Sequence, residues 1–163
     1  MSPGRDDAVM DGVEEEHAPP PVSRMAIAVL ALIGGFDAAY LSMYKLGVIG
    51  GLTCRVGSCE QVQNSPQSAL FGIPVSVLGL GAYVALLALA LVGVQPRFVG
   101  DRRIALAIAA ISGIGMLFSA YLTYVEAWVI HMWCQYCVIS AILITLIFLL
   151  SLPGLRRARA AAS

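Results

Sequence analysis

Charged side chains are scarce in this sequence, and their scarcity excludes several classes of protein. Only 12% of the 163 residues are charged, about half the fraction that is usual in soluble globular domains. Lys and Arg together number 10 and Asp and Glu together number 10, so no basic excess suggests nucleic acid as a partner. The chain also lacks an internal repeat and the glycine-rich fingerprints of phosphate, flavin or nicotinamide sites. Hydrophobic residues make up 59% of the sequence.

These hydrophobic residues form blocks that are each long enough to cross a lipid bilayer. A transmembrane helix needs about 20 mostly apolar residues. A buried core helix is the alternative, but such a helix is usually shorter and carries a polar stripe. The sequence therefore predicts an all-α integral membrane protein, a four-transmembrane-helix bundle with helices at residues 25–44, 73–94, 104–127 and 129–152.

Two tails flank the predicted membrane domain, which covers residues 24–155. Residues 1–23 are acidic and proline-rich, a composition that is typical of disorder and unlike the basic start of a signal peptide. Residues 156–163 form a short basic tail. Because the number of spans is even, both tails are expected on the same side of the membrane.

The distribution of positive charge predicts which side that is. Eight arginines fall on the side of the termini, whereas only Lys45 and Arg55 fall on the other side. Lys and Arg concentrate in cytoplasmic segments, so we expect a multi-pass protein of the cytoplasmic (inner) membrane with both termini in the cytosol. The arginines on the predicted cytosolic side are Arg5, Arg24, Arg97, Arg102, Arg103, Arg156, Arg157 and Arg159.

All four cysteines fall on the predicted extracytoplasmic side, where disulfides are stable. Cys54 and Cys59 lie in the long loop of residues 45–72, and Cys134 and Cys137 lie at the start of the last helix. The fold class is therefore refined to a bundle with a cysteine-bearing extracytoplasmic loop.

Residues 134–137 form a CxxC motif, whose spacing places both sulfurs on one face of a helix. The free N–H groups and the positive dipole end at a helix start lower a thiol's pKa, most strongly for Cys134. The sequence therefore predicts an exchange-competent pair. A structural disulfide and a Cys₄ zinc site that uses both pairs are the alternatives, and we expect no metal.

Cys54 and Cys59 enclose four residues in a glycine-rich loop, which favours a disulfide that can move. A mobile outer pair and a fixed pair at the membrane edge indicate a relay, because thiol–disulfide exchange needs one sulfur to reach another. A structural loop disulfide is the alternative. The electron acceptor at the membrane edge should be lipid-soluble, and a quinone fits, as in the DsbA–DsbB–quinone route.

The whole pattern resembles the vitamin K epoxide reductase family, bacterial branch, over roughly residues 25–152. The matching elements follow the loop pair in order: Ser65, Phe71-Gly72-Ile73-Pro74, Tyr121-Leu122-Thr123-Tyr124-Val125-Glu126, and His131-Met132-Trp133 directly before the CxxC. The resemblance implies a four-helix bundle around a quinone, with a short helical piece in the outer loop.

The resemblance also implies functions for the cysteines. Cys54 would face the redox partner, Cys59 would attack Cys134, and Cys137 would lie against the quinone, of menaquinone or ubiquinone type. The partner would be a separate thioredoxin-fold protein resembling DsbA. Vitamin K quinone or epoxide reduction is the alternative function that the resemblance implies, but animal members carry a substrate-binding Tyr where this chain has Ala141, which speaks against it. A non-catalytic Cys₄ membrane protein is the second alternative.

Supporting residues are predicted around the quinone. Ser65 is either the family's loop hydroxyl near the active site or a cap before Pro66. Glu126 and His131 are candidates for proton transfer or, more simply, interfacial residues. Trp133 belongs to the interfacial aromatic belt and is also a candidate to pack on the ring. Asp37 lies inside the first span, where a carboxylate indicates function, although the sequence favours a structural hydrogen bond to a neighbouring hydroxyl.

Overall fold

Four long helices make up most of the structure. The computed structural model describes residues 22–160, so the predicted tail at 1–23 lies outside the described residues except for its last two positions. Each long helix is apolar and long enough to span a bilayer, which confirms the predicted all-α membrane bundle. The helices are α1 (Val22–Lys45), the short α2 (Cys59–Gln63) in the loop, α3 (Val75–Val94), α4 (Arg102–Val125) and α5 (Gln135–Ala160).

Short elements complete the loops. A single turn of 3₁₀-helix, Pro66–Ser68, follows α2 and leads into a two-stranded antiparallel hairpin, β1 (Ala69–Leu70) and β2 (Ile73–Pro74). A second 3₁₀ turn, Pro96–Phe98, joins α3 to α4. Helix α3 begins directly after β2, at Val75.

The junction between α4 and α5 differs from the prediction. Helix α4 continues into a π-helical turn at Glu126–Ile130, and α5 begins only at Gln135. The helical conformation ends at His131, which has a left-handed backbone conformation with φ 54°. The predicted start at residue 129 was therefore six residues early, because the π turn keeps the apolar composition of a helix.

The predicted end of the last helix at residue 152 was also wrong. The helix continues through Pro153 to Ala160, so the first part of the predicted tail at 156–163 is helical and residues 161–163 lie outside the described part. A proline inside a helix removes one backbone hydrogen bond and crowds the preceding turn. Here that cost falls near the helix end, and the helix is not interrupted.

The four long helices form a ring in which α1 and α4 occupy opposite corners. Each of these two helices packs against both α3 and α5. The contact between α1 and α3 is close because Gly34 lies directly under the ring of Tyr83, where a Cβ would collide with the ring carbons. The Tyr83 hydroxyl in turn donates to the backbone carbonyl of Ser140 on α5 at 3.0 Å.

Apolar side chains also point outward from the ring, as expected of a surface that faces hydrocarbon. One end of the ring carries the loop of residues 46–72 and the α4–α5 junction. The other end carries a cluster of arginines on the helix termini and their connection. Exposed outward residues include Val29, Phe36, Val84, Leu91, Leu117, Ile142 and Leu149, and the arginines are Arg24, Arg97, Arg102, Arg103 and Arg156.

Candidate functional site

The four cysteines converge at the loop end of the bundle. Cys54 and Cys59 form a disulfide, whereas Cys134 and Cys137 are free thiols. Cys59 and Cys134 are almost fully buried in one small cluster, at 1% and 0% exposure, while Cys54 is half-buried. The loop pair thus presents one sulfur towards the outside and the other towards the helix-borne pair.

The loop is held over the CxxC motif by backbone pairing. Gly57 and Cys134 form an isolated antiparallel bridge, and the N–H of Ser58 donates to the carbonyl of Trp133 at 2.9 Å. Gly57 has φ 90°, and a Cβ there would collide with the Trp133 carbonyl oxygen. Only glycine meets both demands without strain, so this position sets the approach of the loop to α5.

Side chains from the first turn of α5 complete the attachment. The Gln135 side-chain oxygen accepts the N–H groups of Arg55 and Val56 at 3.0 and 3.2 Å. The Tyr136 hydroxyl donates to the carbonyl of Thr53 at 2.7 Å. The two variable residues of the CxxC motif therefore bind the backbone on either side of Cys54.

Cys134 lies between the start of α5 and a buried carboxylate. Its backbone N–H donates to the buried Glu126 carboxylate at 3.2 Å, so the π turn and the helix start are linked. A hydrogen bond with the Cys137 thiol, together with backbone N–H groups at the helix start, lowers the pKa of Cys134 below that of an ordinary thiol, although burial opposes this. The direction agrees with the prediction, but the Cys137 thiol is the largest cause of the lowered pKa and the N–H groups of the helix start contribute less.

A cavity of about 460 Å³ lies inside the ring directly below this junction. All four long helices line it, mostly with apolar side chains. Cys137 faces the cavity, whereas the other three cysteines do not line it. The polar side chains in the wall include Asp37, Gln63, Ser65, Ser76, Tyr83, Ser119, Glu126 and Ser140.

The predicted supporting residues divide into two groups. Ser65 and Glu126 line the cavity, and the Ser65 hydroxyl also donates to the carbonyl of Val62 at 2.7 Å, which closes α2. His131 and Trp133 are exposed at the junction and are not part of the cavity wall. Their predicted contact with a quinone has no counterpart in the cavity lining.

Gln63 is a site residue that the sequence reasoning missed. It is buried, lines the cavity and directs its amide nitrogen at the Cys137 sulfur, 3.8 Å away. Lys45 donates to the Gln63 carbonyl and ties the end of α2 to α1. A signal was present, because Gln63 follows Cys59 by four residues and a helix places both on one face.

The geometry permits thiol–disulfide exchange between the pairs and electron delivery into an apolar chamber. In residues 22–160, no three His, Cys, Asp or Glu side chains are arranged to hold a metal ion. A comparison with protein-family models matches residues 25–152 to the vitamin K epoxide reductase family, whose members are membrane redox enzymes that act with quinones. The match covers most of the chain and all the cysteines, and the chain belongs to the vitamin K epoxide reductase family.

Proposed function

We propose that this protein is a thiol:quinone oxidoreductase that reoxidises a separate DsbA-like partner of thioredoxin fold and supports disulfide formation. One observation carries the proposal: the cysteines form a path from the surface to the cavity. Cys54 is partly accessible, Cys59 is buried beside Cys134, and Cys137 faces the cavity. Neither a structural disulfide nor a metal cluster requires such an order.

The electrons move in two exchanges. A thiolate of the partner attacks Cys54, and the partner leaves oxidised while Cys54 and Cys59 become thiols. Cys59 then attacks Cys134 of an oxidised inner pair, which restores the loop disulfide and reduces Cys134 and Cys137. The arrangement in the structure, with a loop disulfide and two free helix thiols, is the product of this second exchange.

The cavity suits a quinone headgroup. Binding pockets for such molecules are mainly apolar with a few polar groups that fix orientation, and the wall of this cavity has that character. Cys137, Gln63 and Ser65 would hold the ring at the outer end, and Glu126 would hold or move a proton beside the thiols. When bound, the quinone accepts two electrons and two protons. His131 and Trp133 are proposed as rim residues at the membrane surface.

We propose further that the cysteine end of the bundle faces the extracytoplasmic side and that both termini are cytosolic. The arginines at the opposite end of the bundle support this orientation through the positive-inside rule. The extracytoplasmic compartment is also the one in which a DsbA-like partner works.

Trapping of mixed disulfides tests the relay. In Cys137→Ala, the sulfur that would release Cys134 is missing, so a Cys59–Cys134 crosslink should accumulate. Protease cleavage between α3 and α4 would then leave the two halves joined on a non-reducing gel. With a partner that lacks its own resolving cysteine, an adduct on Cys54 should accumulate instead.

Three outcomes discriminate between functions. Recovery of both adducts and quinol formation by the wild-type protein support the proposal. A Cys54–Cys134 crosslink would exchange the functions of the two loop cysteines and keep the relay. Absence of any loop-to-helix crosslink, with normal partner oxidation by all four single Cys→Ala variants, would overturn the relay and favour a structural loop disulfide.

A further inference from the structure

Asp37 is a carboxylate in the cavity wall that the relay leaves without a function. Its Oδ2 atom is buried and has no hydrogen-bond partner among residues 22–160. The structural hydrogen bond favoured from the sequence is therefore not made by this oxygen. Asp37 lies eight residues before the end of α1, or about 12 Å into the helix. An intramembrane carboxylate without a partner is costly, so its position in a cavity wall indicates a ligand.

Contacts on either side of Asp37 place it at the level of Cys137. Three residues before it, Gly34 packs under Tyr83, whose hydroxyl binds Ser140 of α5. Three residues after it, Tyr40 packs on Tyr136 of α5, with ring centroids 5.3 Å apart. Cys137 lies between residues 136 and 140. Asp37 and Cys137 thus meet the cavity at a similar depth.

A second carboxylate, Glu126, enters the same cavity from the opposite corner of the ring. It begins the π turn at the end of α4, and α4 is diagonally opposite α1 because both pack on α3 and α5. The cavity is therefore flanked by two acids, with Cys137 on a helix between them. A para-quinone carries its two oxygens on opposite edges of the ring, so two separate groups are needed to serve them.

We propose that Asp37 donates a proton to the quinone oxygen on the α1 side of the cavity, while Glu126 serves the oxygen on the α4 side. This inference rests on the proposed function and adds to it the source of the second proton. Asp37 is then a catalytic acid, and its carboxyl touches the substrate directly.

The step balances in electrons and protons. Cys134 and Cys137 lose two electrons and two protons as their S–S bond forms. The two electrons enter the ring. Glu126 takes the proton of one thiol and passes it to one oxygen. Asp37 passes its own proton to the other oxygen and is then reprotonated from water. The second thiol proton is released to water at the outer surface, so these two exchanges with water cancel.

Other ionisable groups face Asp37 and contribute to the pH dependence of quinol formation. On its own helix Tyr40 lies one turn away, on α3 Tyr83 is the neighbour, and on α5 the neighbours are Tyr136 and Cys137. Glu126 faces it across the cavity. Lys and Arg do not occur in the cavity wall formed by the described residues, so an ion pair does not hold Asp37 in its charged form.

The experiment separates the two half-reactions in the purified full-length protein. Protein reduced with a small dithiol is mixed with a short-chain benzoquinone, and quinol is followed by absorbance. Asp37→Asn should slow quinol formation by about 100-fold, a typical contribution of a general acid, while reduction of the protein by the dithiol stays unchanged. Asp37→Glu should recover most of the rate, with a shifted pH profile.

A second readout does not depend on turnover. Infrared difference spectra are recorded when the quinone is added to oxidised protein. The carboxyl C=O band perturbed by the quinone should include a component that disappears in Asp37→Asn and remains in Glu126→Gln. Ser42→Ala is the matched control, because Ser42 is buried on the same helix, bonds only the Ala38 carbonyl and does not line the cavity.

The outcomes distinguish this inference from the function on which it rests. If Asp37→Asn forms quinol at the wild-type rate, or loses both half-reactions equally, Asp37 is not the acid and the inference is wrong, although wild-type turnover would keep the proposed function. If the infrared band persists in Asp37→Asn, the inference is likewise overturned. If the wild-type protein reduces no quinone, the proposed function fails and this inference with it.

Discussion

The carboxylate of Glu126 accepts the backbone N–H of Cys134 at 3.2 Å, across eight residues that include the π turn. Both residues are buried, at 3% and 0% exposure, and the bond connects the π turn that follows α4 to the residue that precedes α5. The position of Cys134 thus depends on a side chain of the π turn that follows α4.

Replacement of Glu126 by Ala should destabilise the junction, because the Cys134 N–H loses its partner in a buried site. The expected loss in the free energy of unfolding is roughly 1–3 kcal/mol, measured by denaturant titration in detergent. Glu126→Gln keeps an acceptor oxygen and should recover most of the stability but not the proton transfer. Equal stability of Glu126→Ala and wild type would show that the bond does not hold the junction.

Gly57→Ala should weaken the contact between the loop and α5. The substitution imposes a left-handed conformation on alanine and directs a methyl group at the Trp133 carbonyl oxygen. Gly47→Ala is the control, since Gly47 has φ 74° but nothing within 4 Å of a Cβ. In a Cys137→Ala background, the yield of the Cys59–Cys134 crosslink should fall for Gly57→Ala and stay unchanged for Gly47→Ala.

The Gln63 amide should assist oxidation of the inner pair. Its nitrogen lies 3.8 Å from the Cys137 sulfur, where it would stabilise the negative charge that develops as the thiol loses its proton, and hydrogen bonds to charged groups contribute about 1.5–3 kcal/mol. Gln63→Leu should therefore slow quinol formation by about tenfold or more. Gln61→Leu changes an exposed position of the same short helix and should leave the rate unchanged. A similar loss in both variants would point to unfolding of α2.

The membrane spans could be predicted because they depend on composition alone. Long apolar runs decide that a segment enters the bilayer, whatever its neighbours are. The π turn at Glu126–Ile130 and the continuation through Pro153 could not be predicted, since apolar composition is the same in an α-helix, a π turn and a kinked helix. These features depend on where buried backbone groups find partners, as Cys134 does at Glu126.

The candidate site likewise has one part that the sequence predicts and another part that it does not. The cysteine spacing predicts two pairs at one face, and the structure brings them into contact. The cavity wall depends on the rotation of each helix, which an apolar helix does not reveal because it lacks a polar face. Gln63 and the unpartnered oxygen of Asp37 are consequences of that rotation. Trp133 and His131 are predicted as supporting residues because they lie close to the CxxC in sequence, yet both are exposed and neither lines the cavity.

The lowered pKa of Cys134 predicts a specific pH dependence of its ionisation. With the loop disulfide intact, Cys134 and Cys137 are the free thiols, and thiolate absorbance in the ultraviolet can be titrated. The thiolate should form as pH rises through a midpoint below the ordinary value of about 8.5. Cys137→Ala removes the largest cause of the shift and should move the midpoint upward, while Cys134→Ala should abolish this step.

Orientation in the membrane is tested by labelling from one side. After mild reduction of intact cells, a membrane-impermeant maleimide should react at Cys54, which is half-buried at the cysteine end. Arg97→Cys supplies the matched control, because Arg97 is exposed in the α3–α4 connection at the opposite end. In a background without the native cysteines, that position should react only after the cells are opened, since eight arginines predict a cytosolic location for its side.

The reverse pattern would place the loop disulfide in a reducing compartment. The loop pair would then be kept as thiols, and oxidation of a DsbA-like partner could not be its function.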